Sequence, residues 1–314
     1  MIKKIIILSI ILSFTLSVST FDILKDTLEN EGRIPFQGIE VTMFYNEKNF
    51  PEILVSKVIY GGNYRFRREY IAPPFFLGRV TIDDGVRKYE YEPILNRLRI
   101  SPTNFITDPQ DIKKRIELIK KNYNTIDLGY ENMLDRKTII VSLISKYTNK
   151  KALQLWIDIE KNYILRKDKY NSEGRLVSRT FYSEIKYENN SLPDHLFKPD
   201  PTWKPQKVID ESNLREIGLK ESDFSPELPL GYVLDKVYII LKRDDIIFYS
   251  RYTDGLNTVS LFKSNVPIAK DKDVKIEDSF LWKTVFWHDQ RWSYVLIGDI
   301  PSNKLEEFLK KISP

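Results

Sequence analysis

The stretch Leu153-Gln154-Leu155-Trp156-Ile157-Asp158-Ile159-Glu160 decides how this chain folds. Leu153, Leu155, Ile157 and Ile159 alternate with polar or amphipathic neighbours, the period-two pattern of a strand with one apolar face. Glu160-Lys161-Asn162 and Asn171-Ser172-Glu173-Gly174 supply turn chemistry. Residues 153–159, 163–170 and 176–187 therefore read as three antiparallel strands in a meander.

Upstream, residues 124–130 and 137–146 extend the same sheet. Before them, residues 40–45, 52–60, 64–70, 79–82 and 86–91 are rich in β-branched and aromatic residues. Gly61-Gly62-Asn63 and Asp83-Asp84-Gly85 mark their turns, the second because Asp-Gly supplies the positive φ of a tight hairpin. Two segments break the strand rhythm. Residues 22–35 carry Ile23, Leu24 and Leu28 at helical spacing and end near Gly32. In residues 108–121, Asp108 caps, Pro109 suits the first turn, and Asp111 complements the positive end of the helix dipole. Ile112, Ile116 and Ile119 form one stripe there, with lysines on the solvated side, so an amphipathic helix is expected to lie on a sheet.

Downstream, six prolines between Pro193 and Pro229 read as a linker, placed at 193–226, with one short helix near 213–217. A second strand-rich unit occupies 227–314. It closes with a helix from Ser302, where Leu305, Phe308, Leu309 and Ile312 share a face. The expected fold class is α+β: a larger strand-rich domain over 21–192 with helices on one face, then a smaller α+β domain.

Composition narrows the chemistry. The 314 residues contain no cysteine and two histidines, His195 and His288. Disulfides, thiolate metal sites and a cysteine nucleophile are excluded. The two histidines lie far apart without glutamate at ligand spacing, so no metal site is expected. No phosphate-cradling glycine loop or nucleophile elbow occurs. The pair Asp83-Asp84 reads as turn chemistry rather than a catalytic dyad.

The N-terminus addresses the chain for export. Lys3 and Lys4 precede a 12-residue apolar run, Ile5 to Leu16, and small residues follow at Ser17, Ser19 and Thr20. A cleaved signal peptide over 1–20 is expected, with an uncleaved anchor as the alternative. Removing Lys3 and Lys4 lowers the net charge from +5 to +3. The segment Tyr64-Arg65-Phe66-Arg67-Arg68 interleaves aromatics with arginines, but a half-buried strand explains it, and export removes nucleic acid as a partner.

The phrase Leu155-Trp156-Ile157-Asp158, Tyr163-Ile164-Leu165-Arg166 and Phe181-Tyr182-Ser183-Glu184-Ile185 resembles the LolA-like superfamily. That group holds lipoprotein carriers and the RseB/MucB regulators of sigma factors. Leu228-Pro229-Leu230-Gly231-Tyr232, Tyr252-Thr253-Asp254-Gly255-Leu256 and Val295-Leu296-Ile297-Gly298-Asp299-Ile300-Pro301 are similar to the second domain of RseB/MucB. The resemblance implies a curved antiparallel half-barrel sheet with helices on its concave face, then the smaller domain. It also implies a non-enzymatic periplasmic regulator that binds a membrane anti-sigma factor, and acyl chains or lipoproteins in an apolar groove. No cofactor is implied. A lipid or lipoprotein carrier is the alternative, and a hydrolase a third class. The groove residues this suggests are Phe44, Phe66, Leu153, Leu155, Ile157 and Ile159; ordinary core beneath a helix is the competing reading of the last four.

Overall fold

The structure is a computed structural model describing residues 19–48, 50–103, 105–205, 225–242, 245–265, 274–289 and 292–312. Residues 1–18 of the expected export segment and the helix expected near 213–217 lie outside the described residues. The protein is mostly β, built on two sheets with three α-helices among the described residues.

The first sheet has 12 strands: β1 (Phe36–Phe44), β2 (Glu52–Gly62), β3 (Arg65–Ala72), β4 (Val80–Asp83), β5 (Arg87–Glu92), β6 (Arg97–Pro102), β7 (Tyr123–Met133), β8 (Arg136–Ser145), β9 (Lys151–Asp158), β10 (Tyr163–Tyr170), β11 (Leu176–Tyr187) and β12 (Lys204–Pro205). Its spatial order is β12-β6-β5-β4-β3-β2-β1-β11-β10-β9-β8-β7. Two meanders join where β1 pairs with β11, and one short parallel pairing, β12 on β6, makes the sheet mixed. The second sheet has seven strands: β13 (Glu227–Leu228), β14 (Tyr232–Lys242), β15 (Asp245–Thr253), β16 (Thr258–Ser264), β17 (Lys275–Asp278), β18 (Lys283–His288) and β19 (Ser293–Gly298), ordered β13-β14-β15-β16-β19-β18-β17.

Helix α1 (Thr20–Glu29) is capped by the Ser19 hydroxyl, which accepts from the Asp22 amide. Helix α2 (Pro109–Asn122) starts as its sequence demands: Asp108 accepts from the Gln110 amide at 2.8 Å, and Pro109 fills the first turn. Its last residue runs directly into β7 at Tyr123. Helix α3 (Leu305–Ile312) packs Leu305 and Phe308 into the second sheet's core.

Several expectations are corrected. Strands dominate so heavily that the class is mostly β rather than α+β. The first helix stops at Glu29, short of residue 35, because Asn30 ends it and the chain turns through Gly32 at φ +77°. Strand β6 was not expected: Leu98 and Ile100 alternate with Arg97 and Arg99, but the run is short and ends in Ser101-Pro102. Residues 193–205, expected to begin a linker, are packed against the first sheet instead. Phe197 is buried with Val80 and Ile82, Trp203 stacks on Tyr91 with ring centroids 4.2 Å apart, and β12 pairs with β6. Proline excludes a central strand but not an edge one. The pair Asp83-Asp84 is turn chemistry: Asp83 accepts from the Gly85 amide, and Asp84 from the Val86 and Arg87 amides.

Candidate functional site

The apolar residues expected to line a groove separate into three environments. Leu155 and Ile157 are 1% and 0% exposed. They share a core with Leu24 and Leu28 of α1, Ile112, Ile116 and Ile119 of α2, and Ile139, Val141 and Leu143 of β8, and Leu153 packs at its margin. Phe66 sits in a neighbouring aromatic cluster around Phe36, where Tyr60, Tyr163, Tyr182 and Tyr187 surround the Phe36 ring. Phe44 and Ile159 are each 39% exposed. They close strands at opposite ends of the sheet, and Ile159 falls just past the end of β9. The opposite face of β9 is also covered, which the alternation did not reveal. The Trp156 indole donates to Glu131 at 2.8 Å, and the Arg166 guanidinium lies 3.8 Å from the Trp156 ring centroid.

The open space lies on the outer side of the helices. A cavity of about 550 Å³ runs between α1 and α2, its apolar floor made by Phe21, Ile112 and Ile116 and its rim by Lys25, Arg33, Lys113 and Lys120 alternating with Asp22, Glu29 and Glu117. A second, of about 240 Å³, opens beside it between Leu28, Phe105, Ile106 and Arg115. The α2 stripe was visible in the sequence. The pairing of α2 with α1 was not, because nothing local encodes which helix lies beside it. An apolar floor with a charged rim of both signs suits an amphiphile with a polar head.

Helix α2 is also the element on which the second sheet is seated. At its end, Asn122 is buried and donates its amide to the carbonyls of Gly231 and Asp254, while accepting from the Tyr147 hydroxyl. The Tyr123 hydroxyl donates to Asp254, and the Asn257 amide donates to Tyr123. Gly255 passes so close that a Cβ would stand 2.9 Å from Ile119 Cγ1 and 3.0 Å from its amide nitrogen, and φ is +99°. Only glycine fits there.

Burial pushes the Asp254 carboxyl above its ordinary value, against the opposing hydrogen bonds from Tyr123, Leu256 and Asn257. Burial also raises Asp299, opposed by bonds from Ser172 and by the charges of Lys169 and Lys283. Burial lowers Lys169 nearby. The junction thus holds titratable groups in a poorly solvated seam. Among the described residues no group of three or more histidine, aspartate or glutamate side chains is placed to hold a metal ion.

Comparison with known proteins places this architecture. The family description "MucB/RseB N-terminal domain" matches residues 92–207. Over that stretch the chain is similar to the MucB/RseB family. The match takes in α2, β6 to β12 and all of the residues from Leu153 to Ile159, so the helix that borders the cavity and carries the junction lies within the matched stretch. The sigma-E factor regulatory protein RseB of Haemophilus influenzae is 24% identical over 164 residues, covering 50% of this chain. The matched stretch spans about half the length of that relative (49%). Among solved structures, MucB in complex with MucA(peri) superposes with a TM-score of 0.65 at 14% identity, covering 94% of this chain and 99% of MucB. The Pseudomonas aeruginosa MucA/MucB complex gives 0.65 at 13% identity, covering 93% and 97%. These likenesses establish that the MucB fold, both sheets included, is shared.

Proposed function

We propose that this protein is a non-enzymatic, extracytoplasmic regulator that binds the exported part of a membrane anti-sigma factor. The observation that carries the reading is the agreement in fold with MucB solved bound to MucA(peri), along nearly the whole of both chains. In this reading residues 1–20 direct export to the periplasm. Residues 21–192, with the packed segment to Pro205, form a half-barrel of the LolA kind with α1 and α2 on its concave side. Residues 227–314 form the second domain. The acyl chain of a lipid or lipoprotein signal enters between α1 and α2, over Phe21, Ile112 and Ile116. Leu155 and Ile157 then act as the packed floor beneath the helices rather than as contacts.

The test is direct. The purified chain is mixed with the extracytoplasmic segment of a single-pass anti-sigma factor from the same genome, and binding is followed by calorimetry. Saturable binding supports the reading; no binding to any such segment overturns it. The cavity between α1 and α2 favours a second reading, a carrier of lipids or lipoproteins. Acyl chains that co-purify and then pass to acceptor membranes would select the carrier.

A further inference from the structure

The two ends of the first sheet differ in what they offer to solvent. The register fixes which loops share an end. Tyr123 stands opposite Ser145, Ile144 opposite Lys151, Tyr170 opposite Leu176, and Phe44 opposite both Ser178 and Glu52. Val55 then stands opposite Ala72, Val80 opposite Glu69 and Tyr91, and Glu92 opposite Arg97. The β1–β2, β3–β4 and β5–β6 loops therefore all project from the end that, on the other half of the sheet, seats the second sheet.

The β3–β4 and β5–β6 loops are apolar at their tips, and the β1–β2 loop adds the exposed Phe50 beside Glu47 and Lys48. Phe50, Phe75, Leu77, Ile94 and Leu95 are each more than half exposed. Among the described large apolar side chains of the first sheet, only Val86 and Tyr130 elsewhere are as exposed. Residues 71–78, Ile-Ala-Pro-Pro-Phe-Phe-Leu-Gly, carry no charge, nor do residues 93–96, Pro-Ile-Leu-Asn. The second and third loops touch, since a Cβ on Gly78 would lie 3.5 Å from Pro93. Exposed apolar clusters on this scale mark interaction surfaces.

Behind the tips lies a polar tier. The Arg79 guanidinium sits 5.3 Å from the Phe75 ring centroid and 4.9 Å from that of Phe76. Arg79, Arg97, Arg99, Tyr70 and Tyr91 surround a cavity of about 450 Å³ with Glu90 and Glu92. Arg79 and Arg97 pair with Glu92 and Arg99 with Glu90, and three arginines against two glutamates leave one positive charge in excess. Apolar tips backed by tyrosines and arginines are the layering of a membrane interface, where rings and cations sit at headgroup depth.

Helix α1 starts at the same end. The Phe21 ring lies 5.7 Å from Lys120 Nζ, so α1 starts beside the end of α2, which runs into Tyr123 at this end of the sheet.

We propose that the β1–β2, β3–β4 and β5–β6 loop tips insert into a phospholipid bilayer surface, docking the protein with this end of the first sheet against the membrane. The occupant is a bilayer rather than a peptide because the apolar groups are separate protrusions over a tyrosine-rich tier that keeps one positive charge in excess. This docking is independent of the binding proposed for the anti-sigma factor.

The absence of cysteine makes the test unambiguous. Single substitutions Phe50→Cys, Phe75→Cys and Leu95→Cys in the full chain, with Leu134→Cys at the opposite end, are labelled with an environment-sensitive fluorophore. Vesicles of zwitterionic and anionic phospholipid are then added. The expected result is a blue shift, and quenching by a lipid-borne quencher, at the three tip positions and not at Leu134. Phe75→Glu combined with Leu77→Glu should weaken vesicle partitioning by about tenfold or more. Tip labels that ignore vesicles, or a label at Leu134 that responds equally, would overturn the proposal. So would a shift that appears without vesicles as protein concentration rises, which assigns the tips to a second copy, or one that needs an added protein segment.

Discussion

Asp168 in the first sheet and Asp254 at the junction are both buried aspartates, 1% and 5% exposed, yet they are held in opposite ways. Asp168 accepts from both arms of Arg166 and both arms of Arg179, at 2.8 to 3.0 Å. Burial pushes its carboxyl up, but the two guanidinium forks outweigh it and the net shift is downward. Asp254 has hydroxyl, amide and backbone donors only, and burial keeps its carboxyl raised. Burial alone therefore does not decide whether a carboxylate is comfortable; the charge of its partners does. The sheet is built to hold an ion, and the junction is built to hold a group that resists ionising.

The sharpest break of this contrast is Asp168→Asn. An amide cannot accept four guanidinium bonds, so unfolding in urea should show a loss of about 3 kcal/mol. Next comes Asn122→Ala, which leaves the buried carbonyls of Gly231 and Asp254 without their donor. A loss of about 2 kcal/mol is expected, with faster hydrogen exchange at residues 252–257 but not in β9 and β10. Tyr123→Phe removes one donor to Asp254 and should cost about 1 kcal/mol by the same denaturation assay. The smallest effect belongs to Asp254→Asn, within about 1 kcal/mol near neutrality, because the side-chain oxygen still accepts from the Leu256 and Asn257 amides.

The pH dependence separates the two residues by sign. Asp254 is raised in the fold, so its contribution is full below its ordinary value of 3.8 and is lost as pH rises through the raised value. Asp168 is lowered, so its contribution is present above 3.8 and is lost as pH falls through the lowered value. Urea midpoints measured across this range should show Asp254→Asn flattening the fall in stability above pH 3.8. Asp168→Asn should flatten the fall below it. Equal slopes for both variants would erase the distinction.

The sequence made some of this legible. The alternation from Leu153 to Ile159 places β9 and its covered face, and the stripe Ile112, Ile116, Ile119 places α2 upon that sheet. Turn chemistry marks most of the hairpins. Other features escaped it. Strand β6 was missed because its alternation, Arg97-Leu98-Arg99-Ile100, covers only four residues before Ser101-Pro102. Residues 193–205 suggest a linker by their prolines, yet Phe197 and Trp203 bind them to the sheet. Of the six candidate groove residues, Leu153, Leu155 and Ile157 meet in one core, Phe66 lies in another, and Phe44 and Ile159 stand at opposite ends. Alternation identifies a face but not what covers it.

By itself the sequence determined the elements, their polarity and the absence of thiol chemistry, because period, cap and turn signals act over a few residues. The tertiary structure decided which surfaces stay open. The cavity between α1 and α2, the seat of Gly255 on Ile119 and the shared end of three apolar loops each join residues far apart in the chain. Such pairings are set by packing and register across the whole sheet, which no local pattern specifies.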